Sequence, residues 1–247
     1  MNIINLKEKI SIVIAAAGKG TRSKLNYPKS LYKINNQSIL HRIINTLSEF
    51  GSSPIIIVSP SGHDQILDEI KRIKVQCSLL VQRNPLGMGD AVIQLRKVNS
   101  ELKENILLIW GDVPFISPDT INRLVEAHFK NRNSFTFPTI LSEDQYTVVK
   151  RDKSNRVKSV LESKNNPEIA SKKIKERDLG VFIFRKDIVL DLLEKDLPGK
   201  FNKLDGEHGF LYIIDHLYKF SKKIGTVEVS DPKEALSLNA IEDLKGR

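Results

Sequence analysis

Cysteine is almost missing from this chain: Cys77 is the one thiol among 247 residues. A lone cysteine forms no intramolecular disulfide, which suits a reducing compartment such as the cytoplasm. Cys77 lies in the apolar run VQCSLLV and reads as a buried structural thiol, not a nucleophile. Aromatic residues are only 6% of the chain, and no basic helix or aromatic-basic sheet motif is present. The formal charge of +9 is therefore the one argument for nucleic acid, and its lysines alternate with acids in KEK, KSNRVK and KKIKER, as on a solvated surface. No segment approaches the ~20 apolar residues of a membrane span. KEKISIVIAAAG imitates a signal peptide, but its apolar part is short and runs straight into GKGTR, so it reads as a first strand. The five histidines lack metal-ligand spacing; His208 and His216 stand apart with Tyr212 and Asp215 between them. Repeats, low-complexity tracts and clean linkers are absent as well.

What is present is a full-sized α/β pattern. The chain is long enough to bury a core, with 40% hydrophobic and 28% charged residues. Buried strands are expected at Ile10–Ala17, Pro54–Ser59, Val75–Val81 and Ile106–Trp110. Helices are expected at Ser38–Phe50, through HDQILDEIKRI, from about Leu86 to Val98, and at Pro118–Phe129, where Ser117-Pro118-Asp119 is a good start. The second half reads as short strands at Phe135–Leu141, Tyr146–Arg151, Val157–Glu162, Leu179–Phe184 and Gly225–Val229. Helices follow at Asp187–Glu194, Phe210–Lys222 and after Asp231-Pro232, while Ser163–Arg177 reads as loop. Strands alternating with helices imply a three-layer α/β fold, a mostly parallel sheet covered on both faces. Residues 1–247 are expected to form one domain, with lobes at about 1–115 and 116–247.

Ligands bind such sheets beyond the carboxyl ends of the strands. Two loops fall there, AAAGKGTR and WGDVP. Gly18 and Gly20 let backbone amides approach an anion closely, while Lys19, Arg22 and Lys29 add positive charge, so the first loop is suited to phosphates. It is not a nucleotide-hydrolase loop, because Lys19 precedes Gly20 and no glycine stands five residues before Gly18. It is not a dinucleotide fingerprint either, because Ser23 stands where a third glycine belongs and the second strand ends in Val58-Ser59 without a ribose-binding acid.

Gly18-Lys19-Gly20-Thr21-Arg22 followed by Pro28-Lys29 resembles the signature of the sugar-phosphate nucleotidyltransferases. Within that superfamily the chain is most similar to the uridylyltransferase domain of the bifunctional N-acetylglucosamine-1-phosphate enzymes. The resemblance runs from about Ile12 to Ile241 and includes Gln82 with Leu86-Gly87-x-Gly89, the Gly111-Asp112-Val113-Pro114 turn, and Val160-Leu161-Glu162. It implies the Rossmann-like fold of the nucleotide-diphospho-sugar transferases and a reaction in which an acceptor phosphate attacks the α-phosphorus of a nucleoside triphosphate, releasing pyrophosphate. Such chemistry needs positioning and charge neutralisation. By the resemblance, Ala16, Ala17, Gly18, Lys19, Gly20 and Thr21 bind the nucleotide, Lys19 and Arg22 hold the β and γ phosphates, and Lys29 neutralises the reacting phosphate. Asp112 holds Mg²⁺, Gln82 and Gly87 read the base edge, and Glu162 accepts from the acceptor's hydroxyls.

The chain also departs from the family. The asparagine that serves there as second metal ligand has no match in Val229-Ser230-Asp231-Pro232, where Asp231 either ligates Mg²⁺ or caps a helix. Met88 replaces a threonine, Thr147 a sugar-contacting glycine, and Asp178 a sugar-contacting asparagine, and extra residues surround Gly206-Glu207. The expected partners are a triphosphate, UTP before CTP, and a phosphorylated small-molecule acceptor: a sugar-1-phosphate, then a non-sugar alcohol or amino compound. A cytoplasmic enzyme feeding cell-surface polysaccharide fits that reading, and the oligomeric state is not readable. The rivals are a glycosyltransferase, which would usually show Asp-x-Asp after the fourth strand, a nucleotide-binding regulator without turnover, and a nucleic-acid module.

Overall fold

The computed structural model describes residues 8–18, 25–50, 53–143, 146–166, 169 and 174–238. Its architecture grows from strand β1 (Ile10–Ala15), in which all six residues are buried. Ile12 and Ile14 point into one apolar core, Val13 and Ala15 into a second on the opposite face. A strand that is apolar on both sides has to lie in the middle of a covered sheet.

On one side β1 pairs in parallel with β4 (Ile55–Val58), which pairs in parallel with β5 (Ser78–Val81). On the other side it pairs in parallel with β6 (Asn105–Trp110). Antiparallel strands continue the sheet: β11 (Val181–Arg185) joins β6 to β7 (Phe135–Ser142), and β10 (Lys175–Asp178) also pairs with β7. Strand β12 (Ile224–Glu228) runs parallel along β7. Two hairpins stand apart from this sheet: β2 (Lys33–Ile34) with β3 (Gln37–Ser38), and β8 (Thr147–Arg151) with β9 (Val157–Glu162).

Helices α1 (Ile39–Leu47), α2 (His63–Ile73) and α4 (Pro118–Lys130) bury apolar stripes against the first core. Helices α3 (Met88–Ile93), α5 (Lys186–Glu194) and α6 (Ile213–Lys219) pack on the second, where Phe135, Phe137, Phe182, Phe184 and Phe210 are all fully buried. Truncating one such phenylalanine to alanine costs about 3–5 kcal/mol, so the few aromatics present are concentrated where they stabilise most.

The second half departs from the sequence reading in particulars. Lys175–Asp178 is a strand inside a segment read as loop, because Arg177 and Asp178 are buried although polar. The helix expected from Leu86 begins after Gly87 and tightens into a 3-10 turn at Gln94–Glu101. Among the described residues, the helix expected after Asp231-Pro232 is a short 3-10 turn, Pro232–Ala235. Cys77 is partly, not fully, buried against the first core, and burial pushes its thiol pKa up. No helix among the described residues is long and apolar enough to cross a membrane.

Candidate active site

Strands β1 and β6 end side by side, and the chain leaves each through a small residue. The Gly111 amide donates to Ala15 O at 2.9 Å, and a Cβ on Gly111 would sit 3.0 Å from that oxygen and 3.1 Å from Ala16 Cα. Glycine lets the two strand ends lie this close without crowding, and the turn then presents Asp112. Ala15, Ala17, Gly18, Lys29 and Asp112 line the same cavity of about 470 Å³. Ala16 instead faces the first core, with its amide on Ile57 O at 2.8 Å. Lys19, Gly20, Thr21 and Arg22 lie outside the described residues.

Lys29 reaches the cavity from a 3-10 turn at Lys29–Leu31. Its Nζ donates to Leu238 O at 2.6 Å and lies 3.8 Å from Asp112 Oδ2. Leu238 N in turn donates to Asp112 O at 3.0 Å, so the chain after Pro232–Ala235 braces both residues.

One wall is the turn between β5 and α3. Gln82 is only 2% exposed, and its Nε2 donates to Gly87 O at 3.1 Å and to Asp90 Oδ2 at 2.6 Å. Gly87 has φ +119°, and a Cβ there would lie 2.4 Å from His208 O. His208 clamps this turn through its backbone, its N donating to Leu86 O and its O accepting from Gly89 N at 2.9 Å. Burial, with help from Lys200, lowers its ring pKa to about 4 and keeps it neutral. His216 sits further along, with Nε2 2.9 Å from Pro198 O.

Further lining comes from the β8–β9 hairpin and the break between β10 and β11. Thr147 pairs with Glu162 across the hairpin. Its hydroxyl donates to Asp178 Oδ1 at 2.5 Å, while Asp178 Oδ2 accepts from Gly180 N at 2.8 Å. Asp178 faces Thr139 of β7 but Ile183 faces Thr136, so extra chain bulges out at Leu179-Gly180 and turns Asp178 toward the cavity. Glu162 accepts from Asn165 Nδ2 at 3.0 Å. Burial raises its pKa; Lys164 opposes this, and Asp178, Asp205 and Glu207 add to it. Lys164 lies 3.2 Å from Asp205 and 3.3 Å from Glu207. Lys164, Arg177 and Glu207 all line the cavity, and none was singled out from the sequence.

Of the sequence candidates, the structure thus gathers Ala17, Gly18, Lys29, Gln82, Gly87, Asp112, Thr147, Glu162 and Asp178 around one cavity. Asp231 is not among the lining residues; its carboxylate caps the last 3-10 turn, accepting from Lys233 N at 2.9 Å. A second, more open groove of about 570 Å³ runs between Tyr27–Lys33 and α2. Its charged pair Glu69 and Arg72 is bonded internally, and among the described residues none of the sequence candidates lines it.

Residues 12–177 match the MobA-like NTP transferase domain. The chain belongs to that family. This MobA-like domain is 32% identical over 239 residues to the bifunctional protein GlmU of Buchnera aphidicola subsp. Acyrthosiphon pisum, covering 95% of the present chain and 49% of that protein. To GlmU of Thermosipho melanesiensis it is 31% identical over 229 residues, covering 92% and 47%. The chain therefore spans about half the length of the curated relatives it matches. Among solved structures it is similar to HddC from Yersinia pseudotuberculosis, complexed with GMP-PN, with a TM-score of 0.69, 20% identity and coverage of 95% and 96%. The 4-diphosphocytidyl-2C-methyl-D-erythritol synthase of Anaerococcus prevotii follows with a TM-score of 0.63, 17% identity and coverage of 95% and 94%. At those identities the likeness is one of fold, and it makes the mixed sheet of this MobA-like domain the Rossmann-like sheet of the nucleotidyltransferases.

Proposed function

We propose that this protein transfers a nucleoside monophosphate from a nucleoside triphosphate, UTP before CTP, to a sugar-1-phosphate, releasing pyrophosphate. The observation that carries the reading is that one cavity is lined by Lys29 and Asp112, by Gln82 and Gly87, and by Thr147, Glu162 and Asp178. The attacking phosphate is already ionised, so the work of the protein is alignment and charge stabilisation. Lys29 meets the charge that grows on the reacting phosphate, its ammonium aimed by Leu238 O.

Asp112 suits Mg²⁺. It is a carboxylate in a turn at the cavity floor, and the described residues hold no cluster of three or more His, Cys, Asp or Glu that could bind an ion alone. One carboxylate with substrate phosphates and water is a donor set that Mg²⁺ accepts. When bound, the ion would neutralise phosphate charge. Loop residues Lys19 and Arg22 complete the reading as holders of the β and γ phosphates.

A second reading is favoured by the acids of the site: Glu162, Asp178 and Glu207 line one cavity. They suit an acceptor offering hydroxyl donors or an amine, which includes cytidylyl transfer to a phosphorylated non-sugar alcohol or amino compound. A regulator without turnover would have no need to keep Lys29 within 3.8 Å of Asp112. Pyrophosphate release, measured for each nucleoside triphosphate against a panel of phosphorylated acceptors with and without Mg²⁺, tests the proposal. Release that needs triphosphate and acceptor together supports it, and binding without turnover across the panel overturns it.

A further inference from the structure

We infer that Asp90 sets the base preference of this site, by locking the amide of Gln82 in one orientation. The inference rests on the nucleotidyl-transfer reading and goes beyond it, since a free glutamine amide suits either pyrimidine. Gln82 is 2% exposed, and its backbone is held by a bond from Gln82 N to Val58 O at 2.9 Å. Both hydrogens of its Nε2 are engaged, one by Gly87 O at 3.1 Å and one by Asp90 Oδ2 at 2.6 Å. A carbonyl and a carboxylate only accept, so a turned amide would set Oε1 against two acceptors in a buried place. Asp90 is held in its turn, with Gln94 Nε2 donating to Asp90 O at 3.1 Å.

The consequence falls on Oε1. It takes no hydrogen bond among the described residues, and Gln82 lines the cavity. A locked Oε1 asks the base for a donor. At N3 uracil carries a hydrogen and cytosine a lone pair; at C4 uracil carries an oxygen and cytosine an amino group. Facing either of these positions, Oε1 meets a donor on one pyrimidine and an acceptor on the other. Two opposed acceptors in a dry site disfavour the wrong base by roughly tenfold to a hundredfold. Gly87 cannot relax to relieve the clash, because its φ of +119° and the backbone of His208 fix the turn. Asp90 acts through Gln82 and is a positioning residue.

The test compares kcat/KM for UTP and CTP with one acceptor in wild type, Asp90→Asn and Asp90→Ala. An asparagine can donate or accept, and an alanine does neither, so both variants take away the stronger of the two acceptors that hold the Gln82 amide and leave Gly87 O alone to oppose a turned one. The wild type should prefer one pyrimidine by tenfold or more. Both variants should bring the ratio at least fivefold closer to one, through the KM of the nucleotide more than through kcat. Calorimetric binding of UMP and CMP should show the same loss of discrimination. A ratio unchanged in whichever variant folds, or a wild type that uses and binds both pyrimidines equally, overturns the inference. If the wild type turns over nothing, the nucleotidyl-transfer reading fails, and the UMP and CMP affinities still decide the role of Asp90.

Discussion

Thr147 and Asp178 form one bonded unit: the threonine hydroxyl donates to Asp178 Oδ1 at 2.5 Å, between residues that are both buried. Both stand where the family resemblance puts sugar-contacting residues of other types, so two apparent departures are one. A hydroxyl needs an acceptor, which the carboxylate supplies; Gly180 N takes the other oxygen. Removing the Thr147 hydroxyl alone leaves Asp178 Oδ1 without this partner, and a buried group left unpaired costs about 1–3 kcal/mol; an asparagine at 178 could instead accept from Gly180 N and donate to the Thr147 hydroxyl.

Acceptor choice should therefore respond to the pair. N-acetylglucosamine-1-phosphate is expected to be a poor acceptor for the wild type, because Thr147 adds bulk and Asp178 offers no donor to an acetamido carbonyl. Thr147→Gly should lower thermal stability, and Asp178→Asn should lower it less. The double variant should recover part of that loss and gain turnover with this acceptor over either single. Acceptor-panel kinetics with unfolding midpoints for the four proteins check this. A wild type that favours N-acetylglucosamine-1-phosphate tenfold over the rest of the panel would refute it.

Lys29 should be a turnover residue more than a binding one. Its ammonium is aimed from two sides, by Leu238 O at 2.6 Å and Asp112 Oδ2 at 3.8 Å. Lys29→Ala is expected to lower kcat by roughly 10²-fold, with a smaller change in the triphosphate KM, because charge on the reacting phosphate grows in the transition state. Asp112→Asn should cost a similar factor and shift the Mg²⁺ concentration that supports half-maximal rate. A Lys29→Ala enzyme altered in KM alone would reduce Lys29 to a binding group.

Much of this could be read from the chain because the signals are local. β1 and β6 are mostly apolar runs ended by glycine-containing turns, so both their burial and the placing of Gly18 and Asp112 beyond their ends follow from sequence. Strand β10 had no such signal: KERD is wholly polar, and its burial depends on hydrogen bonds made across the fold. Lys164, Arg177 and Glu207 went unread for the same reason. His208 was equally silent, since it clamps Leu86 and Gly89 through its backbone and any residue type can do that. At Asp231 one residue type serves two purposes, and the short-range geometry is that of a cap.

Stability should fall in mild acid because of His128. Its ring is 2% exposed, with Nδ1 2.9 Å from Thr136 Oγ1 and Nε2 3.1 Å from Asn105 Oδ1. Burial, then the charge of Arg185, lowers its pKa from 6.5 to about 4. The unfolded chain thus takes up this proton first. The stabilisation is complete above pH 6.5, is lost as pH falls toward 4, and amounts to on the order of 3 kcal/mol. Urea midpoints between pH 7 and pH 4 should decline in the wild type, and His128→Gln should remove part of that slope. An equal slope in the variant would assign the decline to other groups, His208 among them.

Glu234 should matter to both stability and turnover, although it never touches the cavity. Its carboxylate is buried and accepts from Ser117 N at 2.9 Å and from the hydroxyls of Ser117 and Thr120 at 3.1 Å. Ser117 is the cap of α4, so an anion here also meets the positive end of a helix. Glutamine keeps the shape but turns one acceptor into a donor, facing groups that themselves donate. Glu234→Gln should therefore lose about 1–3 kcal/mol, seen as a lower Tm. The same anchor fixes the chain that carries Ala235 and Ser237 into the cavity wall and Leu238 onto Lys29 and Asp112. Loosening it should misplace the Lys29 ammonium, and a displacement of about 1 Å near reacting groups can cost roughly 10²-fold. Turnover measured well below the variant's Tm separates the two effects. If kcat there equals that of the wild type, Glu234 stabilises α4 without aiming Lys29.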